Sequence, residues 1–303
     1  MKTKIVTAYW MDVHGYPFQG SLPIRKTRYQ GSLISHCKCG VDVVCYTHDK
    51  NVEELLTLKQ TYKLNNLELK VLELSNVKFH TEINDIRSKS FNTDLDGRGP
   101  EIMWGKFDAL ERECENSDFV YWVDVGLQHP GIFPWMYSKV FDPSKPSFNI
   151  PTNWWSVLDV FDFSKIIDNI TYSKLNSLCK DKIVFTCCSS PQVGYPLLER
   201  GIVDYSFDAP YPVGAMVGGN TKILKEYIEY FWVHVKKALA CNLLCTEEVL
   251  MKPSYDLLST EKKMTLIFDA FASGEHDEHH YKLWVEDCGN RKPFYMMWHD
   301  IRK

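Results

Sequence analysis

Long apolar runs are missing from this chain. No segment approaches the roughly 20 consecutive apolar residues that a bilayer-spanning helix needs. The opening, Met1-Lys2-Thr3-Lys4-Ile5-Val6-Thr7-Ala8, enters a strand pattern with no apolar stretch of signal-peptide length. The expectation is a cytoplasmic protein with no transmembrane segment. A surplus of positive charge is missing too. The formal net charge is −4, so no global positive field holds the protein on nucleic acid or anionic lipid. The basic runs at Arg25-Lys26-Thr27-Arg28 and across residues 222–237 read as solvated helix faces. None of the ten cysteines forms the paired C-x-x-C spacing of a zinc site. Without an export signal, reduced structural thiols are expected, and Asn169-Ile170-Thr171 reads as a chance sequon. No G-x-G-x-x-G follows the first strand, which counts against a nicotinamide enzyme. Residues 99–106 have the glycine and lysine of a phosphate-binding loop, but with one spacer too many, bulky residues inside and no hydroxyl after Lys106. A backbone cradle cannot form there, which excludes an ATPase or kinase on this motif.

What is present is the composition of a globular enzyme: 303 residues, 45% apolar and 24% charged. Short β-branched runs at 4–9, 41–47, 67–74, 119–124 and 182–186 read as strands. Between them, 52–64 follows Asn51 as a candidate N-cap, and 104–114 leads into the fourth run. The clearest helix is 222–239, with Ile223, Tyr227, Phe231, Val235 and Leu239 on one stripe after the cap sequence Gly218-Gly219-Asn220-Thr221. This alternation predicts an α/β fold with at least part of its sheet parallel. Repeats, low-complexity tracts and linkers are lacking, so one domain over 1–303 is expected. The stretches near 96–100, 128–153 and 189–214 read as ordered loops.

Three constellations carry chemistry. The strand Phe119-Val120-Tyr121-Trp122-Val123-Asp124 delivers a carboxylate to the carboxyl edge of a sheet, with Gly126 close behind. A carboxylate there holds a divalent ion against a diphosphate, or simply caps a turn. In Pro212-Val213-Gly214-Ala215-Met216-Val217-Gly218-Gly219-Asn220, small residues precede a long helix. They allow a ligand to approach the backbone and the helix N-terminus, or form a tight strand–helix connection. Thr246-Glu247-Glu248 opens an apolar segment, either as a cap or with one carboxylate turned into a pocket as a base or charge stabiliser.

In order, Val6-Thr7-Ala8, Trp104-Gly105-Lys106, Trp122-Val123-Asp124-Val125-Gly126, Gly218-Gly219 and Thr246-Glu247-Glu248 resemble the GT-A glycosyltransferases, particularly the bacterial and phage branch similar to the HtrL/YibB group. The resemblance spans nearly the whole chain. It implies a Rossmann-like fold with a mixed, mostly parallel central sheet, a donor-binding half near 1–130 and an acceptor and catalytic half near 131–303. Thr7 and Ala8 would line the nucleoside pocket, and Lys106 would reach toward the donor phosphates or sugar. Asp124 would serve the metal–diphosphate site. Gly218 and Gly219 would bracket sugar and acceptor, and Glu247 or Glu248 would face the reacting centre. The metal motif of the family has two aspartates flanking one position, whereas position 126 is Gly. Manganese or magnesium would therefore rest on Asp124 plus a second ligand from elsewhere, such as His299, or on water. A UDP-sugar is the implied donor. The acceptor that the resemblance implies is a hydroxyl on a glycan or on hydroxymethylated pyrimidines of phage DNA. Trp135, Tyr137 and Trp154-Trp155 suit stacking on either, or filling a core. Gly126 also leaves open a non-catalytic sugar- or nucleotide-binding protein with a degenerate form of this fold. The His276–His280 cluster lacks His-Glu-x-x-His spacing and reads as a solvated loop. Arg291-Lys292-Pro293 is either a partner for a leaving diphosphate or surface charge.

Overall fold

A computed structural model describes residues 1–11, 22–38, 40–89, 99–125, 170–188, 211–260 and 264–269. Among the described residues, seven strands form one sheet: β1 (Thr3–Tyr9), β2 (Asp42–Thr47), β3 (Leu67–Val71), β4 (Phe119–Val123), β5 (Ile183–Cys188), β6 (Tyr211–Asn220) and β7 (Met264–Asp269). Their order across the sheet is β3-β2-β1-β4-β6-β5-β7. Neighbours pair in parallel except at β6, which runs antiparallel to both β4 and β5. The fold is therefore α/β with a mixed, mostly parallel sheet.

Seven α-helices are described: α1 (Leu22–Lys38), α2 (Val52–Thr61), α3 (His80–Lys89), α4 (Gly99–Glu113), α5 (Ile170–Leu178), α6 (Thr221–Ala240) and α7 (Glu247–Thr260). None of them is long and apolar enough to cross a membrane. Alternation along the strands sorts the helices between the two faces. Val6, Ala8 and Trp10 of β1 and its continuation, with Val44, Tyr46, Val120 and Trp122, share a buried cluster with α4, α6 and α7. The intervening Tyr9 points the other way, where its hydroxyl donates to Glu54 of α2 at 3.4 Å and Lys26 of α1 pairs with the same carboxylate at 2.8 Å.

α6 buries the stripe Leu224, Tyr227, Ile228, Phe231, Trp232, Val235 and Ala238. Phe231 stacks on Phe107 of α4 with ring centroids 3.8 Å apart, and Tyr227 meets Phe185 of β5 edge-on at 4.9 Å. Ile223 and Leu239, expected on this stripe, are partly buried flanks. Asn220 caps α6 by accepting from the Lys222 N–H at 3.0 Å, as its place before the helix predicts.

Several expectations need correction. Asn51 makes no side-chain cap; the 3-10 turn 49–51 leads into α2, and its cap is His48, whose Nδ1 accepts from the Lys50 N–H at 3.2 Å. The helix expected at 104–114 begins at Gly99, with Pro100 in the first turn, where a missing N–H costs nothing. Residues 99–106 are thus helical throughout. The segment 212–220, read as small residues leading into a long helix, is the strand β6, and 211–214 of the expected loop 189–214 belong to the same strand.

Candidate functional site

The chain lays down β1, β2 and β3 outward in one direction, then returns to place β4 on the other side of β1. In an open α/β sheet, the carboxyl ends of two such strands leave a crevice where ligands bind. Asp124 follows the last residue of β4 at that edge. Trp122, one full alternation earlier, lies on the same face and donates its Nε1–H to Asp124 Oδ1 at 2.6 Å. About 45% of the Asp124 side chain remains exposed.

Lys106 approaches from α4. Its side chain is almost wholly buried, and Nζ donates to Glu247 Oε1 at 2.5 Å and to the Gly214 carbonyl at 3.0 Å. Asp124 Oδ1 stands 3.8 Å from the same ammonium, and the Trp122 ring lies beneath it at 5.7 Å. Burial alone disfavours the ammonium. The charges of Asp124, Glu247 and Glu248 outweigh that and push its pKa above the ordinary lysine value. Lys106 is therefore a fixed positive charge at physiological pH.

Glu247 is the first residue of α7, and its own helix delivers it. Two contacts from α4 hold that helix start: Lys106 to Glu247, and Trp104 Nε1–H donating to the Cys245 carbonyl at 3.2 Å. The Trp-x-Lys spacing thus grips the start of α7 at two points, Cys245 and Glu247. Glu247 Oε2 is buried with no hydrogen-bond partner. Glu248 is less enclosed. Burial and then the Glu247 charge push its carboxyl up to about 7, against the pull of Lys106 and of hydrogen bonds from its own N–H and from Thr246.

Gly214 completes the arrangement. A Cβ at this position would stand 2.1 Å from Lys106 Nζ and 2.3 Å from Glu247 Oε1. The missing side chain lets β6 pass this close to the ion pair without displacing it. Four segments remote in sequence therefore converge at one point: Lys106, Asp124, Gly214 and Glu247.

Other expected site residues stand elsewhere. Gly218 and Gly219 pair with Tyr121 and Val120, well back along β4 from Asp124. A Cβ on Gly218 would strike the Val120 carbonyl at 2.3 Å, and Gly219 has φ +137° beside Lys182. Their visible role is close strand packing. Ala8 faces the α4 side next to Trp10, whereas Thr7 is fully buried with its hydroxyl unpartnered. Gly126, Trp135, Tyr137, Trp154, Trp155, His276–His280, Arg291, Lys292 and His299 lie outside the described residues. Sequence reasoning points to the segment 212–220 without picking out Gly214 within it, and it passes over His36. A glycine inside the alternating Val213-Gly214-Ala215-Met216-Val217 run is itself a sign of close backbone approach. His36, whose Nε2 lies 3.2 Å from the Asp124 carbonyl, carries no such sign.

The donor set can be tested against a divalent cation. Two carboxylates face one ammonium, one carboxylate oxygen of Glu247 is orphaned, and Asp124 is open to solvent. That surplus of negative charge fits one further cation. Among the described residues, no group of three or more His, Cys, Asp and Glu side chains is placed to hold a metal ion, so Asp124 would need ligands from outside that set.

No family model and no curated protein matches the chain. Among solved structures it is similar to mouse xyloside xylosyltransferase 1 in its apo form, at TM-score 0.48 and 6% identity over 88% of this chain and 86% of that one. Core-mannan synthase A from Aspergillus fumigatus, in a Mn/GDP form, aligns at TM-score 0.48 and 8% identity over 88% and 72% of the two chains. The galactosyltransferase LgtC, in complex with donor and acceptor sugar analogues, aligns at TM-score 0.47 and 9% identity over 99% and 95%.

Proposed function

We propose that this chain is a GT-A-type glycosyltransferase, similar to the HtrL/YibB group, that moves a sugar from a UDP-sugar to a hydroxyl acceptor. The observation that carries this reading is the convergence of Lys106, Asp124 and Glu247 on Gly214 at the carboxyl edge of the sheet. Three of the short segments that carry the sequence resemblance meet there, although up to 141 positions separate them.

Each residue then has a task. Asp124 would hold a manganese or magnesium ion against the donor diphosphate, with a second ligand such as His299 or water. The bound ion supplies charge neutralisation of the leaving group. Lys106 is committed to Glu247 and the Gly214 carbonyl, so its service is to hold the carboxylates in place rather than to reach for phosphate. Glu247 offers its free oxygen to a hydroxyl of the donor sugar. Glu248, whose carboxyl is made more basic by burial and the Glu247 charge, would accept the proton of the acceptor hydroxyl as that oxygen bonds to the anomeric carbon and the bond to the diphosphate breaks. Residues 1–130 form the donor half and 131–303 the acceptor half of a single domain, with a glycan or hydroxymethylated pyrimidine as acceptor.

The test is thermal stability with UDP, GDP and CDP, each with and without manganese. A ligand at 100 times its Kd stabilises the folded state by about 2.7 kcal/mol, a rise of roughly 5 °C for a chain of this size. The expected result is a rise with UDP and manganese that is absent in Asp124→Asn. No rise with any nucleotide sinks the proposal. A rise without donor hydrolysis or transfer supports a non-catalytic nucleotide-binding protein instead.

A further inference from the structure

We infer that His36 is a positioning residue that sets the direction of Asp124 from the opposite face of the sheet. This rests on the reading of Asp124 as a donor-site residue. The side chain of Asp124 lies on the α4 side, where Trp122 and Lys106 meet it. Its carbonyl faces the other way. β4 ends at Val123, so the Asp124 carbonyl has left the strand ladder and needs a partner from elsewhere. His36 Nε2 stands 3.2 Å from that oxygen. A carbonyl only accepts, so Nε2 carries the proton in this contact.

The imidazole is fully buried in the second-last residue pair of α1. The helix around it is anchored independently. Asn66 Nδ2 donates to the Cys37 carbonyl at 2.8 Å, and Lys26 and Gln30 both engage Glu54. A rigid donor on a fixed helix therefore fixes the peptide plane after Asp124. With the preceding peptide held in β4 by its pairing with β6, that plane fixes the backbone torsion at Asp124 and so the Cα–Cβ direction, and with it whether the carboxylate reaches both Trp122 Nε1 and the open crevice. Burial of a polar imidazole in a helix–sheet interface disfavours folding unless hydrogen bonds satisfy it, and this bond spends one of them on the tip of β4.

His36→Leu and His36→Gln separate this role from packing, because the Gln amide places a donor near the position of Nε2. UDP dissociation constants with manganese, measured by titration calorimetry, are compared with the melting temperatures of the ligand-free proteins. The expected result is affinity about tenfold weaker in His36→Leu, the scale of one lost hydrogen bond, with most of it restored in His36→Gln. Wild-type affinity in His36→Leu overturns the inference, as does an equal loss in both variants at equal melting temperature. If His36→Leu does not fold, His36→Asn replaces it, its amide being too short to reach the carbonyl; equal affinity in Asn and Gln variants overturns the inference. Wild-type protein that binds no nucleotide removes the functional reading itself, whereas binding that is indifferent to His36 removes only this inference.

Discussion

Gly214 is the residue on which the candidate site depends most directly for space. The atoms its Cβ would meet, Lys106 Nζ and Glu247 Oε1, are the tips of long side chains, and both side chains are buried, so the ion pair itself would have to shift. Gly214→Ala should therefore leave the fold intact at a cost of about 1–3 kcal/mol, the usual scale of overpacking. Turnover should fall by about a hundredfold, because an ångström of misplacement at a reacting centre has that effect. Circular dichroism melting and a transferase assay on the same preparation check it; unchanged turnover would mean that the Lys106–Glu247 geometry is unimportant to the chemistry. At this scale the sequence was partly legible. Asp124 announces itself as a carboxylate at the end of an apolar strand, and Glu247-Glu248 as paired acids opening a helix. It could not be read that Lys106 pairs with Glu247, nor that the Glu248 carboxyl is pushed up. Both depend on burial and on charges brought in from distant segments.

Between elements, the contact of α4 with the start of α7 matters most. Trp104 supplies one hydrogen bond there and Lys106 another. Trp104→Phe keeps most of the ring volume but leaves the Cys245 carbonyl buried and unsatisfied, which costs about 1–3 kcal/mol. The expected outcome is a lower melting temperature together with weaker donor affinity, since the helix that carries Glu247 loses a fixed point. A lower melting temperature with unaltered affinity would make Trp104 a core residue only. Elements with one clean stripe, such as α6, are visible in the sequence. α1 is not, because the buried part of its surface includes Ser32, Ser35 and His36 as well as Leu33 and Ile34. β6 is hidden by the glycines its neighbours require: Gly214 beside the ion pair, Gly218 and Gly219 against β4 and β5.

Over the whole molecule, a second buried network ties the parallel half together. Glu113, at the end of α4, accepts from Lys4 of β1 at 2.6 Å, Tyr46 of β2 at 2.7 Å and Lys70 of β3 at 2.6 Å. Burial by itself would raise the Glu113 carboxyl. The hydrogen bonds from Lys4, Lys70 and Tyr46 outweigh it and hold the carboxyl below the ordinary glutamate value. A depressed acid binds fewer protons when folded than when unfolded, so its stabilisation is complete above the ordinary glutamate range and drains away as pH falls through the depressed value. Glu113→Gln should lose about 3 kcal/mol at neutral pH, the low end for breaking a buried pair because 35% of the Lys70 side chain stays exposed. Its denaturant midpoint should also fall less steeply with acid than that of the parent; parallel pH profiles would show that the network contributes no linked stability. The alternation of strands and helices makes this parallel half legible from sequence. The reversal at β6 and the order β6-β5-β7 are pairings between remote segments that no local pattern encodes. One consequence concerns the order of synthesis. Lys106 leaves the ribosome 141 residues ahead of the carboxylate that pairs with it, and Gly214 follows it by 108. Until α7 emerges, the nascent chain has a lysine bound for a buried position with Asp124 as a counter-charge but without Glu247, its hydrogen-bonded partner. The parallel half can pair its strands early, but the edge that carries the proposed chemistry closes only when synthesis has passed residue 247.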